Sequence, residues 1–113
     1  MSKSQRNKGA GGEREVCALL TEEFGRPAKR QLDQTRDGGH DISYPPFRIE
    51  VKRRKRIGNL YEWLAQADTD LGGNPLVEIE PDYPTLFLRA DGKDWLVVMR
   101  FRDWATLARG EIE

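Results

Sequence analysis

The segment at residues 47–52, FRIEVK, constrains the fold of this chain more than any other. Its apolar and charged side chains alternate strictly, which is typical of a β-strand that turns one face toward a core. A sheet with one apolar face needs a second layer to cover it, and residues 13–24 and 60–71 have the apolar spacing of amphipathic helices. The chain is therefore predicted to be a β-sheet covered by helices.

A chain of 113 residues has room for one small domain. We predict a single domain over residues 13–113, preceded by a mobile basic arm at residues 1–12 that contains three glycines. The predicted order is αβββαββα, an α/β or α+β sheet domain. Its elements are a helix at 13–24, strands at 28–32, 41–44 and 47–53, a helix at 60–71 opened by Asn59 and Glu62, hairpin strands at 85–89 and 95–99, and a last helix capped by Asp103.

Several protein classes are excluded by what the chain lacks. The longest apolar run, Trp95 to Met99, is far too short to span a membrane, and the polar, basic first residues do not form a secretory signal. One cysteine, Cys17, cannot form an internal disulfide, and one histidine is too few for a Cys/His zinc site. We expect a soluble, cytoplasmic protein without a membrane partner.

A net charge of zero hides an uneven distribution of charge along the chain. Residues 1–60 carry a balance of +6, concentrated at 53–56, and residues 61–113 carry −6. A basic surface on a neutral protein indicates a polyanionic partner. The alternative is a solvated run of charges on a very polar chain, and charge alone favours neither.

Two acidic residues of the first predicted helix differ in their phase. Glu13 falls at the centre of the apolar face, in line with Val16 and Leu20, whereas Glu15 falls nearly opposite. A carboxylate in line with a core stripe either lies at a solvated helix terminus or faces a polar pocket. The pattern leaves both interpretations open for Glu13.

The strongest candidate for chemistry is a pair of carboxylates around the turn at residues 45–46. A symmetric antiparallel hairpin places Asp41 beside Glu50 on one face, with Lys52 two residues further along. Adjacent like charges are destabilising, so the pair becomes useful only with a divalent cation such as Mg²⁺ or Mn²⁺. The alternative is an exposed edge strand whose charges are simply solvated.

The residues of this candidate site resemble the signature of a nuclease family. Asp41 followed by Glu50-Val51-Lys52 looks like the PD-(D/E)xK nuclease signature, although Gly39 stands where the name has proline. The segment at residues 8–15, KGAGGERE, is similar to the K-G-x-x-x-E-R-E opening of archaeal-type Holliday junction resolvases, which also occur in phages. Many resolvases carry a serine before the aspartate, whereas residues 34–40 offer only Thr35.

The resemblance implies a restriction-endonuclease-like core with a mixed central sheet, and Mg²⁺-dependent hydrolysis of DNA phosphodiesters that leaves 5′-phosphate ends. It also implies a homodimer that makes paired incisions in four-way junctions during recombination or repair. Metal ligation falls to Glu13, Asp41, Glu50 and the Val51 carbonyl, with Lys52 catalytic and Gln66 supporting. DNA phosphate contacts are expected from Lys8, Arg30, Arg36, Arg53, Arg54, Lys55 and Arg56.

Other functions fit the same residues. A VRR-NUC-type or repair nuclease that cuts flaps, nicks or plain duplex would use the same site, and a DNA-binding protein with a degenerate site is a more distant alternative. The apolar run at residues 95–99 fits either a dimer contact or a central strand of the sheet.

Overall fold

The computed structural model describes residues 3–31, 41–68 and 83–112, and they form an α+β domain with a mixed four-stranded sheet. Within these residues the strand order is β1-β2-β3-β4; β2 and β3 run parallel, and the other two neighbouring pairs are antiparallel. The elements are α1 (Lys3–Phe24), β1 (Ile42–Tyr44), β2 (Phe47–Arg54), α2 (Leu60–Ala65) continued by a 3-10 turn (Gln66–Asp68), β3 (Tyr83–Ala90), β4 (Leu96–Val98) and α3 (Phe101–Ile112).

The β1–β2 hairpin has the predicted register. Tyr44 pairs with Phe47, and Ile42 with Ile49, around a turn whose Pro45–Pro46 peptide bond is cis. The next residue toward the N-terminus, Asp41, donates its backbone N–H to the Ile49 carbonyl at 2.8 Å. The apolar alternation is sufficient to set this register, because a slip of one residue would turn the apolar set away from the core.

The two faces of the sheet are covered by different helices. On one face, Val16 and Leu20 of α1 pack with Ile42, Ile49 and Val51 in the larger core cluster. On the other face, Leu64 of α2 packs with Leu86 and Leu88 of β3. Consecutive side chains of β2 therefore point alternately to the two faces of the sheet. This alternation determines on which face each side chain of the candidate site lies.

The first helix begins at Lys3, ten residues before its predicted start. Residues 3–12, which were expected to belong to a mobile arm, are therefore helical. Gly12 shows why its glycines are compatible with a helix. A Cβ at this position would lie 3.2 Å from the Arg53 Cβ and 3.5 Å from Val51 Cγ1, so the missing side chain lets α1 lie close against β2. Tertiary packing overrides the low helix propensity of glycine here.

Other element boundaries also differ from those predicted. Of the strand expected at residues 28–32, the described residues 28–31 form only one bridge, between Arg30 and Ile42, so the order of elements in the described residues is αββαββα. Asn59 caps α2 as predicted, accepting from the N–H groups of residues 61 and 62, but the α-helix ends at Ala65. Asp103 lies inside the first turn of α3 and does not cap it, since the Arg100 carbonyl accepts the first helical bonds.

The strand β4 lies at an edge of the four-stranded sheet, so within the described residues the central-strand interpretation of residues 95–99 is wrong. Two of its three residues, Leu96 and Val97, are more than half exposed. Of the helices that the structure describes, none combines the length and the apolar character that crossing a membrane requires.

Candidate functional site

Asp41 and Glu50 form a carboxyl pair beside β2. The Val51 backbone N–H donates to Asp41 Oδ2 at 2.7 Å. The Asp41 carboxylate thus accepts a hydrogen bond that a backbone carbonyl of a neighbouring strand would otherwise accept. Glu50 is 5% exposed, and its carboxyl lies within hydrogen-bonding reach of Asp41. The two residues that the hairpin register predicts as neighbours are neighbours in the structure.

Burial, the hydrogen bond to Asp41 and the negative charge of Asp41 together raise the pKa of Glu50 to about 9, with burial the largest cause. Lys52 opposes the shift, with its Nζ 3.5 Å from Glu50 Oε2. The other oxygen, Oε1, is buried and has no hydrogen-bond partner among the residues that the structure describes. Near neutral pH the Glu50 carboxyl therefore holds a proton that a cation could replace.

Glu13 is a residue of α1, the helix that covers the face of the sheet formed by Ile49 and Val51. Glu50 lies between these two residues in β2, so its side chain belongs to the other face. Since α1 begins at Lys3, Glu13 is in the interior of the helix, and the helix-terminus interpretation of its phase is wrong. Its Oε1 is 3.3 Å from Arg30 Nε, so the carboxylate has a basic partner beside the core. Burial and the negative charge of Asp41 raise the pKa of Glu13, while the ion pair with Arg30 counteracts both. Burial also raises the pKa of the neighbouring Cys17 thiol, and the charge of Glu13 adds to this.

The proposed metal ligands are only partly gathered. Within residues 3–31, 41–68 and 83–112, no three His, Cys, Asp or Glu side chains lie together as a metal site. Asp41 and Glu50 nonetheless fit a hard divalent cation, because Mg²⁺ commonly takes one or two carboxylates and completes its shell with water and substrate phosphate. The unpartnered Oε1 of Glu50 is the donor atom that such a cation would satisfy. Glu13 is held by Arg30, so the chain provides a two-carboxylate site with a third carboxylate close to Asp41.

Among the described side chains, the basic residues expected to contact DNA do not form one cluster. Arg53 lies on the α1 face beside Glu15, whereas Arg54 lies on the other face, 6.0 Å from the Trp63 ring. Lys55 and Arg56 follow the end of β2 and are exposed. Arg30 pairs with Glu13, Lys8 falls within α1, and Arg36 lies outside the described residues. Gln66, expected as a supporting residue, is exposed at the end of α2.

A second polar cluster was not predicted from the sequence. Glu15 accepts a hydrogen bond from Trp95 Nε1 at 3.1 Å and from the Arg89 guanidinium at 3.3 Å, and Arg53 lies 3.7 Å away. Arg53 and Arg89 are register partners on adjacent strands, so the carboxylate lies between two like charges. The sequence pattern places Glu15 nearly opposite the apolar face of α1 and indicates no partner for it. The partners are 74 and 80 residues away in sequence, and no local spacing indicates them.

Comparison with protein-family models, with curated proteins and with solved structures found no match for this chain.

Proposed function

We propose that this protein is a Mg²⁺-dependent DNA endonuclease that cuts four-way junctions as a homodimer. The observation that carries the proposal is the buried Asp41–Glu50 pair with Lys52 beside it. A fold gains no stability from holding two carboxyls together in a buried place, and functional sites are where such arrangements concentrate. The proposal extends to action on DNA in the cytoplasm, in recombination or repair.

Each residue of the site has a distinct role in the proposed reaction. Asp41 and Glu50 bind the metal ion, whose chemistry is to neutralise phosphate charge and to lower the pKa of a bound water. The backbone N–H of Val51 keeps the Asp41 carboxylate oriented. The Lys52 ammonium, paired with Glu50, stabilises the negative charge that develops on the phosphoryl oxygens. Water oxygen bonds to phosphorus, the bond to the 3′ oxygen breaks, and the products are a 5′-phosphate and a 3′-hydroxyl.

The deciding experiment compares cleavage of a synthetic four-way junction, a flap and a linear duplex, each with Mg²⁺ and with EDTA. We expect paired incisions in the junction with Mg²⁺ and none in EDTA. Asp41→Asn, Glu50→Gln and Lys52→Ala should abolish cleavage, while Glu23→Gln, an exposed carboxylate of α1, serves as the matched control. Full cleavage in EDTA would refute the metal assignment.

The same assay separates the alternative functions. Cleavage of flap or duplex in preference to the junction would identify another nuclease activity built on the same residues. Binding of the junction without cleavage under any divalent metal would indicate an accessory DNA-binding protein. We favour the nuclease because Lys52 and the carboxyl pair are all present and adjacent.

A further inference from the structure

The C-terminal helix α3 buries none of its residues against the rest of the described chain. Phe101 and Ile112 are each 78% exposed, and Trp104 is 51% exposed. An isolated helix of about twelve residues is marginal in water, and helices of this length usually owe their stability to packing of an apolar face. The exposed apolar side chains of α3 therefore indicate that it packs against something outside the described residues of a single copy.

The spacing of the apolar residues describes the shape of the missing contact. Phe101, Ala105, Ala108 and Ile112 follow one another at intervals of four, three and four residues, which is the spacing of a heptad seam. The alanines leave a shallow groove on the helix, lined by Trp104, Ala105, Ala108, Arg109 and Ile112. A groove of this kind fits a second helix with the same seam, and small central residues let the two backbones come close.

The charges beside the seam select the partner and its direction. Arg102 and Arg109 lie along one side of the seam, while Trp104 and Glu111 lie along the other. When two copies of α3 run parallel, Arg109 of each copy meets the Trp104 ring of the other. An antiparallel pair would instead bring Arg102 against Arg109. We infer that α3 is the contact of a symmetric dimer in which the two helices run parallel.

The apolar surface continues from the helix onto the edge of the sheet. A hollow of about 380 Å³ joins Val97, Val98 and Met99 to Phe101 and Trp104. A helix of twelve residues is about 18 Å long and cannot alone supply the roughly 800 Å² per copy that a specific interface buries. The exposed β4 residues next to it supply the remaining apolar area, and the two-fold symmetry presents the same surface from both copies.

The test is the oligomeric state of the full chain, measured by light scattering at micromolar concentration. We expect a species of twice the 13.0 kDa chain mass for the unmodified protein. Ala105→Glu places a charge in the seam and should give a monomer with unchanged circular dichroism. Thr106→Glu, an exposed position away from the seam, is the matched control and should stay dimeric. A monomeric unmodified protein, or a dimer insensitive to Ala105→Glu, would overturn the inference.

A cross-linking experiment tests the direction of the helices. In a Cys17→Ser background, Ala108→Cys should yield a disulfide-linked dimer on oxidation, because a parallel pair brings position 108 of each copy together. Gly110→Cys, on the far side of the helix, should not cross-link. If Ala108→Cys alone fails and Ala105→Cys with Ala108→Cys succeeds, the helices run antiparallel and the stated arrangement is wrong. A monomer would also contradict the homodimer of the proposed function, but neither readout involves cleavage, so the α3 contact and the nuclease activity can fail separately.

Discussion

Two polar clusters flank β2, and they hold charge in opposite ways. At Glu15, one carboxylate lies between two guanidinium groups and an indole N–H, so opposite charges meet and donors find an acceptor. At Glu50, a buried carboxyl lies against a second carboxyl, and one of its oxygens has no hydrogen-bond partner in the described part of the chain. The first arrangement holds helix α1 to the sheet. The second costs stability, which is why it is the better candidate for a function.

The largest expected contrast is in cleavage. Glu50→Gln should reduce the rate of junction cleavage at least about 10²-fold, because losing one group that stabilises the charge of a transition state typically lowers an enzyme's rate by that much. Glu15→Gln should leave cleavage within a few-fold at a temperature where the variant is folded, because Gln still accepts from Trp95. Single-turnover rates on one junction substrate compare the two. A Glu15 variant as inactive as the Glu50 variant would remove the distinction between the clusters.

The pH dependence of stability should also separate them. The folded-state pKa of Glu50 is about 9 and its ordinary value is 4.5, so between these values the folded protein binds more protons than the unfolded chain. Stability without metal should therefore fall as pH rises through this window, by at most about 1.4 kcal/mol per pH unit for one proton. Denaturant unfolding in EDTA at several pH values measures the slope. Glu50→Gln should flatten it, and an unchanged slope in that variant would contradict the assignment.

Removal of the Glu15 carboxylate should destabilise the fold. Glu15→Ala leaves Arg53 and Arg89 facing each other and the Trp95 N–H without its acceptor, at a cost of about 2 kcal/mol. Urea unfolding gives the value, with Glu22→Ala, an exposed residue of the same helix, as the control. If both variants lose the same small amount, the cluster is only a surface contact.

The smallest effect concerns how closely α1 approaches this cluster. Gly9→Ala should stabilise the protein by about 0.5 to 1 kcal/mol, since no described atom lies within 4 Å of the added methyl group and alanine favours helix. Gly12→Ala gains the same propensity but places a Cβ 3.2 Å from the Arg53 Cβ, so its net gain should be smaller or negative. Thermal unfolding of the two variants gives the difference directly. Equal stabilisation would mean that α1 shifts at no cost.

What could be predicted from the sequence follows from how local each contact is. The register that pairs Ile42 with Ile49 was predicted because alternation and turn length are local properties. The contact of Glu15 with Trp95 could not be, because its partner is fixed only by the complete sheet. The early start of α1 was missed because glycine propensity was read without the strand against which Gly12 packs. The full metal set stays a prediction, since Glu13 is engaged by Arg30.

The hairpin that brings Asp41 beside Glu50 also limits how this gene can change in length. One residue added to the turn at Pro45–Pro46 would shift β1 by one register position and turn Asp41 to the other face of the sheet. The β3–β4 turn at Asp91–Gly92 carries no proposed ligand, and an extra residue there would leave the carboxyl pair untouched. Among sequences descended from this chain, insertions should therefore collect in the second turn and be absent from the first.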